Sequence, residues 1–181
     1  MKKITKNSKA ILILLLFGFI FGNLTTANAE ARNKPKLCFS PEGHCQTLLI
    51  STIAQAQKSI RVQAYSFTAA PIAQALIDAR QHGVDVAIVL DRSQPSEHYS
   101  VLPLLLEAAV PTKIDYCCAI AHNKVMIIDD RWVVTGSYNF TKSAEEKNAE
   151  NLLVIDDPEL AESYRHNWEH HWTNAKLATS P

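Results

Sequence analysis

The sequence predicts an α/β layered domain. Segments with the alternation or the continuous apolar character of strands are interleaved with segments of helical periodicity, an order typical of a sheet covered by helices. The chain has 181 residues, of which 47% are apolar and 20% are charged. This length and composition indicate one globular domain rather than a disordered protein.

The first 29 residues have the pattern of a secretory signal peptide. Four lysines precede a run of 13 uncharged residues, from Ala10 to Gly22, and Ala27-Asn28-Ala29 supplies the small residues of a cleavage site. The run is shorter than the roughly 20 residues that a membrane-spanning helix needs. We therefore expect export, with no stable membrane anchor once the signal is cleaved.

The chain that remains after cleavage divides into a loose tail at 30–36, a catalytic domain at 37–176 and a C-terminal tail at 177–181. It has 14 basic and 18 acidic residues, a net charge of −4, so it lacks the strongly basic surface of many nucleic-acid-binding proteins. Only three glycines remain, and they form neither a G-x-G-x-x-G nor a Walker A loop. Nucleotide-cofactor enzymes of those two classes are excluded.

The elements of the N-terminal half follow from local signals. Ser40, Pro41 and Glu42 have the order of an N-cap, a first-turn proline and a first-turn acid, so a helix should begin there. Gly83 should end the second helix, and Pro103 should interrupt the third. The predicted elements are a strand at 37–39, a helix to about Lys58, a strand at 59–65, a helix at 70–81, a mostly apolar strand at 84–90 and a helix at roughly 96–109.

The C-terminal half is richer in strands. Asp129-Asp130-Arg131 should form a turn between two of them, and Ser143 with Glu146 could form a capping box. Asp157 should cap the last helix, whose apolar residues recur at steps of four and predict a core stripe. The elements are strands at 113–116, 125–128, 132–135 and 151–155, and a final helix to about Lys176 with the stripe Leu160, Tyr164, Trp168 and Trp172.

All four cysteines lie after the signal peptide, where an oxidising compartment permits disulfides. Four cysteines allow three pairings, and the sequence does not choose among them. A bond between Cys38 and Cys45, which closes a short loop, is the first expectation. A bond between the adjacent Cys117 and Cys118 would be strained.

One stretch of the sequence carries the chemistry. His122 and Lys124 are two residues apart at the start of a strand, so both side chains leave the same face. Ser137 and Asn139 are likewise two apart, at the end of the neighbouring strand. These four groups can converge on a phosphate, as one nucleophile or proton carrier with donors for the non-bridging oxygens. Glu150, at the head of a later strand, could hold the second nitrogen of His122, as a triad carboxylate does.

These residues form the pattern H-x-K-x4-D-x6-G-S-x-N, with Asp129 at the acidic position. The pattern resembles the signature of the phospholipase D superfamily at every position. Further segments are similar to its small bacterial endonuclease branch, namely 39–43 (FSPEG), 64–68 (AYSFT), 83–86 (GVDV) and 148–151 (NAEN). The resemblance implies one domain with one motif per chain, a mixed central sheet with helices on both faces, and a periplasmic location.

The resemblance also implies a two-step phosphodiester cleavage without a metal or other cofactor. His122 matches the nucleophile that forms a phosphohistidine, Lys124 and Asn139 match the phosphate ligands with Ser137 beside them, and Glu150 matches the carboxylate that orients the histidine. Asp129 completes the catalytic signature, and we expect its part to be more structural than chemical.

A single motif raises a question of stoichiometry. Cleavage needs a nucleophile on one side of phosphorus and an acid that protonates the leaving oxygen on the other. One imidazole cannot be bonded to phosphorus and also protonate the leaving group. We therefore expect a two-fold homodimer in which His122 of both subunits meet at an interfacial active site.

Several other patterns have simpler interpretations. His166, Glu169 and His170 spell the H-x-x-E-H pattern of some zinc enzymes, but no Asp, Glu, His or Cys follows His171, and a solvated helix surface is the simpler account. Trp168 and Trp172 could stack on bases, although their spacing favours the core. Four basic residues near the motif could line a groove for a polyanion: Lys113, Arg131, Lys142 and Lys147.

The sequence favours an exported, metal-independent endonuclease of low sequence specificity that acts on DNA, with RNA as a further candidate substrate. A first alternative keeps the chemistry and takes a phospholipid headgroup ester as substrate. An apolar lip beside the site would favour lipid, and a wide polar groove would favour nucleic acid. A second alternative is a non-catalytic nucleic-acid-binding module, against which the intact set of site residues argues.

Overall fold

The computed structural model describes residues 34–179. The predicted signal peptide, most of the predicted N-terminal tail and residues 180–181 lie outside this part of the chain. The described residues form an eight-stranded sheet with the spatial order β1-β7-β6-β5-β2-β3-β4-β8. The strands are β1 (Lys36–Ser40), β2 (Ser59–Ala64), β3 (Asp85–Asp91), β4 (Thr112–Asp115), β5 (Lys124–Ile128), β6 (Trp132–Gly136), β7 (Glu150–Asp156) and β8 (Lys176–Leu177).

Helices cover both faces of this sheet. They are α1 (Cys45–Ile53), α2 (Ala70–Gln81), α3 (Leu102–Glu107), α4 (Lys142–Glu146) and α5 (Pro158–Asn174). The larger core lies between one face and α1, α2 and α3, which bury Leu49, Ile72 and Leu105. The smaller core lies on the opposite face, where α5 buries Ala161 and Trp168. The predicted mixed sheet with helices on both faces is confirmed.

The pairing of the strands places their ends. β2 pairs in parallel with β3, and β3 with β4, whereas β5, β6, β7, β1 and β8 pair antiparallel to their neighbours. As a result β5 and β7 begin at the sheet edge where β1, β2, β3 and β6 end. Residues at these strand ends, although distant in sequence, lie along one edge.

The first helix differs from its prediction at both ends. Ser40 ends β1 instead of capping a helix, and residues 41–43 form a turn before α1 begins at Cys45. Gly43 permits this turn, because a Cβ there would lie 2.1 Å from the carbonyl oxygen of Phe39. The helix ends at Ile53, five residues early, because the amides of Gln57 and Lys58 donate to the carboxylate of Asp129.

Two further helix predictions are corrected. The expected helix at 96–109 is a 3-10 turn (Gln94–Ser96) followed by the short α3, and Pro103 lies in the first turn of α3, where its missing N–H is harmless. The capping box predicted from Ser143 and Glu146 is absent from α4. Thr141 caps this helix instead, and its hydroxyl oxygen accepts from the amide of Ala144.

Other elements agree closely with the sequence. The helix predicted at 70–81 has those bounds, and Asp157 caps α5 by accepting from the amides of Glu159 and Leu160. The predicted stripe of α5 faces the smaller core, and Trp168 donates to the carbonyl oxygen of Val62 at 2.9 Å. The sheet extends into both predicted tails, because β1 begins at Lys36 and β8 reaches Leu177.

The cysteines pair as first expected. A disulfide joins Cys38 in β1 to Cys45 at the start of α1. Cys117 and Cys118 are exposed free thiols. Within residues 34–179, no helix is long and apolar enough to cross a membrane.

Candidate active site

The structure brings His122, Lys124 and Tyr65 together where β5 begins. The ammonium nitrogen of Lys124 lies 2.9 Å from Nδ1 of His122 and donates to the carbonyl oxygen of His122 at 2.7 Å. The rings of His122 and Tyr65 have centroids 4.5 Å apart, and the ammonium lies 5.1 Å from the centroid of the Tyr65 ring. The imidazole, the ammonium and the Tyr65 ring thus all contact one another.

Lys124 is a buried charge. Lys124 is the first residue of β5, and it is only 7% exposed. Burial lowers the pKa of Lys124 below its usual value, and the negative charge of Glu150 opposes this shift. A phosphate bound to this ammonium would supply a negative charge, which compensates for the loss of contact between the ammonium and solvent.

The backbone on both sides of His122 is fixed by neighbouring strands. Asp91, which ends β3 and is 2% exposed, accepts from the amide of Ala121 at 2.7 Å and from the amide of Ser93 at 2.9 Å. The amide of Tyr65 donates to the carbonyl oxygen of Asn123 at 2.9 Å. Sequence reasoning missed Asp91, although an acid at the end of an otherwise apolar strand is a recognisable signal.

The segment after β6 places Ser137 and Asn139 at the same sheet edge. Gly136 has φ +148°, and a Cβ there would lie 2.2 Å from the carbonyl oxygen of Asn151, so the close approach of β7 requires glycine. The hydroxyl oxygen of Ser137 accepts from the amide of Asn151 at 3.1 Å. Oδ1 of Asn139 is buried and has no hydrogen-bond partner among the described residues. This oxygen accepts and cannot donate, so a phosphate oxygen would have to bind Nδ2 of the same side chain.

Tyr138 anchors this segment from the other side. Its ring is 1% exposed, and its hydroxyl donates to Glu145 of α4 at 2.9 Å. Burial and this hydrogen bond raise the pKa of Tyr138, which stays protonated. The same carboxylate oxygen of Glu145 accepts from the amide of Gln46. Because Tyr138 points into the core, the residues on either side of it are turned outward.

Glu150 begins β7 opposite Ser40, the last residue of β1. Its carboxylate accepts from the side-chain amide of Asn148 at 3.0 Å, and its charge acts on Lys124. No hydrogen bond joins Glu150 to His122 within residues 34–179. The predicted contact between these two is therefore not made here, because Lys124 takes the position at Nδ1 that the carboxylate would need.

Asp129 lies away from this group, and its predicted part in the catalytic set stays a prediction. It follows the far end of β5, about 16 Å along the strand from Lys124. Its carboxylate accepts from the amides of Gln57, Lys58 and Ser59 at 2.7–2.9 Å. Asp129 therefore holds the chain as it enters β2, which is the structural part that the sequence analysis expected.

A cleft of about 570 Å³ opens beside Asn139. Polar side chains such as Thr141 and Lys142 line it, together with the aromatic rings of Tyr65 and Tyr99. Tyr99 is 74% exposed. The cleft thus offers hydrogen-bonding groups, two rings, one cation and the carboxylate of Glu97 next to Asn139.

The remaining candidates lie elsewhere. Lys113 packs over the ring of Trp172, and Arg131 pairs with Asp156. Neither lines the cleft, whereas Lys142 does. His166 is exposed and pairs with Glu162 and Glu169 on the surface of α5, as the simpler interpretation of the H-x-x-E-H pattern expected.

Fold and motif together define a class, and comparison with known proteins agrees. Residues 49–172 match the family described as "Cardiolipin synthase, PLD-like domain". The fold matches that of Nuc from Salmonella typhimurium, a phospholipase D family member, with a TM-score of 0.79 and 40% identity over 82% of this chain and 99% of that one. The chain belongs to the phospholipase D superfamily, and it is a hydrolase of that superfamily.

Particular relatives differ in their names. The chain is 46% identical to the phospholipase D of Rickettsia conorii over 76% of this chain and 69% of the relative. It is 28% identical to the mitochondrial cardiolipin hydrolase of Xenopus tropicalis over 76% of this chain and 67% of the relative. NucT from Helicobacter pylori is similar in structure, with a TM-score of 0.74 and 28% identity over 81% of this chain and 99% of that one.

Proposed function

We propose that the protein is a metal-independent endonuclease of low sequence specificity, which cleaves DNA through a phosphohistidine on His122 and has RNA as a further candidate substrate. The observation that carries the proposal is the group at the sheet edge. A nucleophilic imidazole contacts a buried ammonium, and Asn139 lies beside a cleft that Lys142 and two tyrosine rings also line. Lys124, Ser137 and Asn139 bind the non-bridging oxygens of the phosphate.

The resting contact between Lys124 and His122 explains how substrate activates the nucleophile. A protonated lysine can only donate, so Nδ1 accepts and Nε2 carries the proton in the free enzyme. When a phosphate oxygen takes the hydrogen bond of Lys124, Nδ1 can take a proton from water while Nε2 releases its own to water, and the Nδ1–H group then donates a hydrogen bond to Glu150. The lone pair of Nε2 is then available to attack phosphorus.

The reaction proceeds in two displacements. Nε2 of His122 forms a bond to phosphorus as the bond to the leaving oxygen breaks, and an acid on the opposite side protonates that oxygen. Water then attacks phosphorus and gives a proton to the group that protonated the leaving oxygen, the P–N bond breaks, and the imidazole is restored. The acid is His122 of a second subunit, so the active species is a homodimer with its site at the interface. Active monomers in sedimentation at assay concentration would exclude this arrangement.

The cleft supports nucleic acid as the substrate. Rings such as Tyr65 and Tyr99 can stack on bases of any sequence, and Lys142 can follow the phosphate backbone. The net charge of −4 after signal cleavage gives no long-range electrostatic attraction for a polyanion, so affinity must come from these local contacts.

A phospholipid headgroup ester is the second candidate, and one observation favours it. Ile120 is 54% exposed two residues before His122, and Phe39 is 62% exposed beside Ser40, so apolar side chains also border this edge. The relatives named phospholipase D and cardiolipin hydrolase point the same way. The third candidate, a binding module without turnover, predicts that His122→Ala changes nothing.

Export belongs to the proposal. The basic and apolar N-terminal segment supports secretion, and the disulfide between Cys38 and Cys45 suits an oxidising compartment such as the periplasm.

The decisive assay uses supercoiled plasmid in excess EDTA, with wild type, His122→Ala and His166→Ala compared. His166 is an exposed histidine of α5, remote from the motif in sequence, and serves as the matched control. We expect nicking by the wild type and the control only. Failure of all three to nick, with release of headgroup from phosphatidylcholine or cardiolipin vesicles by the wild type, would replace the nuclease with a lipid hydrolase.

A further inference from the structure

A second cluster of reactive side chains lies outside the proposed catalytic group. Asp115 ends β4 and is 1% exposed, and its Oδ2 lies 2.6 Å from Nδ1 of His171 on α5. The thiol sulfur of Cys117 lies 3.6 Å from the same nitrogen, and the sulfur of Cys118 lies 3.7 Å from that of Cys117. Ligand atoms of Asp115, Cys117 and His171 all lie within 4.8 Å of one another.

The arrangement of these atoms is not that of a catalytic relay. In a relay the carboxylate contacts one nitrogen of the imidazole and the nucleophile contacts the other. Here Asp115 and Cys117 both face Nδ1 of His171. Groups that converge on one point, rather than forming a chain, are suited to surround an ion.

The distances fit a tetrahedral metal. With Zn–S of about 2.3 Å and Zn–N of about 2.05 Å, tetrahedral angles place two sulfurs about 3.8 Å apart, and a sulfur and a nitrogen about 3.6 Å apart. The sulfurs of Cys117 and Cys118 are 3.7 Å apart, and the Cys117 sulfur is 3.6 Å from Nδ1 of His171. Asp115 and Cys118 must move. The 2.6 Å contact of Asp115 is a hydrogen bond that metal binding would replace, and the Cys118 sulfur lies outside the group of ligand atoms that are within 4.8 Å of one another.

We propose that Asp115, Cys117, Cys118 and His171 form a structural site for a thiophilic divalent cation, with zinc as the best match. Two sulfurs, one imidazole and one carboxylate satisfy the ligand preferences of zinc and leave no position open for a reacting water. The site is separate from the proposed phosphodiester chemistry, whose residues it does not include.

The position of this site gives it a role. Cys117 and Cys118 lie in the loop that leads from β4 to His122, and three residues separate Cys118 from His122. His171 lies near the C-terminal end of α5. A metal would therefore fasten this loop to α5, while Asp91 already holds its other end at Ala121.

Without metal, the cysteine is kept as a thiol. The hydrogen bond with Asp115, together with burial and the neighbouring Cys118, raises the pKa of Cys117 to about 12. A divalent cation has to displace the thiol protons, so binding releases protons and weakens as the pH falls.

Metal titration of the purified protein, reduced with a phosphine and stripped with chelator, tests the site. We expect one Co²⁺ per chain, with an intense thiolate-to-cobalt band and the visible spectrum of tetrahedral cobalt, and displacement of both by one Zn²⁺. Zinc should also raise the melting temperature. Cys117→Ser and His171→Gln should each lower zinc affinity by at least ~100-fold, since removing a ligand costs more than removing its supporting partner.

Matched variants separate this site from its rivals. His170→Ala, next to His171, should keep full zinc binding, which excludes the H-x-x-E-H pattern as the ligand set. Cys118→Ser should lose part of the thiolate band. Cys117→Ser should still nick plasmid in EDTA, because the proposed catalytic group is intact. Either of two results would overturn the inference: no stoichiometric cobalt binding by the reduced wild type, or a spectrum that Cys117→Ser leaves unchanged.

Discussion

Lys124 is a buried charge at the candidate site, and its burial acts against stability. Its folded-state pKa is lowered mainly by burial, so the unfolded chain holds the proton more tightly than the folded protein does. Between the lowered pKa and 10.5 the free energy of unfolding therefore rises with pH. Below that interval the buried charge is a standing cost.

Replacing Lys124 by methionine should separate the two effects. We expect plasmid nicking to fall by roughly 100- to 1,000-fold, because a donor to the phosphate oxygens is removed. The melting temperature at pH 7 should be unchanged or higher, since a buried charge is replaced by an apolar chain of similar length. The gap between the two proteins should narrow as the pH approaches 10.5, as measured by thermal unfolding at a series of pH values. A large loss of stability at pH 7 would contradict this account.

Asp129 should behave in the opposite way. Asp129→Asn tolerates the left-handed backbone of this position (φ 56°) but weakens three charge-assisted hydrogen bonds to backbone amides. We expect it to lower the free energy of unfolding by about 2 kcal/mol, measured in urea, with nicking per folded molecule nearly unchanged.

Glu150→Gln provides the comparison for that prediction. The charge of Glu150 raises the pKa of Lys124, and Glu150 begins β7 at the edge of the candidate site. The Glu150→Gln protein should therefore nick plasmid poorly and remain nearly as stable as the wild type. If Asp129→Asn abolished turnover in molecules shown to be folded, Asp129 would belong to the chemistry after all.

At the scale of elements, α5 stabilises the second face of the sheet largely through one side chain. Trp168 is 4% exposed and donates to the carbonyl oxygen of Val62, whereas Trp172 is only partly buried and stacks on it with centroids 5.0 Å apart. Trp168→Ala should lower the free energy of unfolding by about 3–5 kcal/mol. Trp172→Ala, one turn away, should cost much less in the same denaturant titration. Equal losses of unfolding free energy would mean that the contribution of each tryptophan does not depend on how deeply it is buried.

The elements also show which parts of the fold the sequence can predict. The bounds of α2 and the cap of α5 follow from signals within a few residues, such as the apolar periodicity and Asp157 before a proline. The end of α1 does not follow from such local signals. The amides of Gln57 and Lys58 donate to Asp129, which is about 70 residues further along the chain, instead of continuing the helix. The turn at 41–43 likewise depends on the fit of Gly43 against Phe39.

The same distinction holds for the candidate site. Spacing along one strand suffices to predict that His122 and Lys124 meet, because the alternation of side chains in a strand is a local rule. Nδ1 of His122 contacts Lys124 rather than Glu150, and this choice depends on how neighbouring strands pack. The hydrogen bond from the amide of Ala121 to Asp91 depends on the same packing. The cluster at Asp115 was missed because its fourth member, His171, comes from a helix more than fifty residues away.

At the scale of the whole molecule, the proposed mechanism requires two chains, and mixing subunits tests this. Each productive site needs His122 from one subunit as nucleophile and His122 from the other as acid. A wild-type chain paired with a His122→Ala chain would therefore be inactive. After subunits exchange fully with a tenfold excess of His122→Ala protein, only about one wild-type chain in eleven has a wild-type partner. Nicking per wild-type chain should fall to about a tenth. The same mixture assayed before exchange should keep its full rate, which controls for competition by inactive protein for the plasmid. Undiminished nicking after exchange, verified by mass spectrometry of the mixed dimers, would mean that one subunit supplies both the nucleophile and the acid.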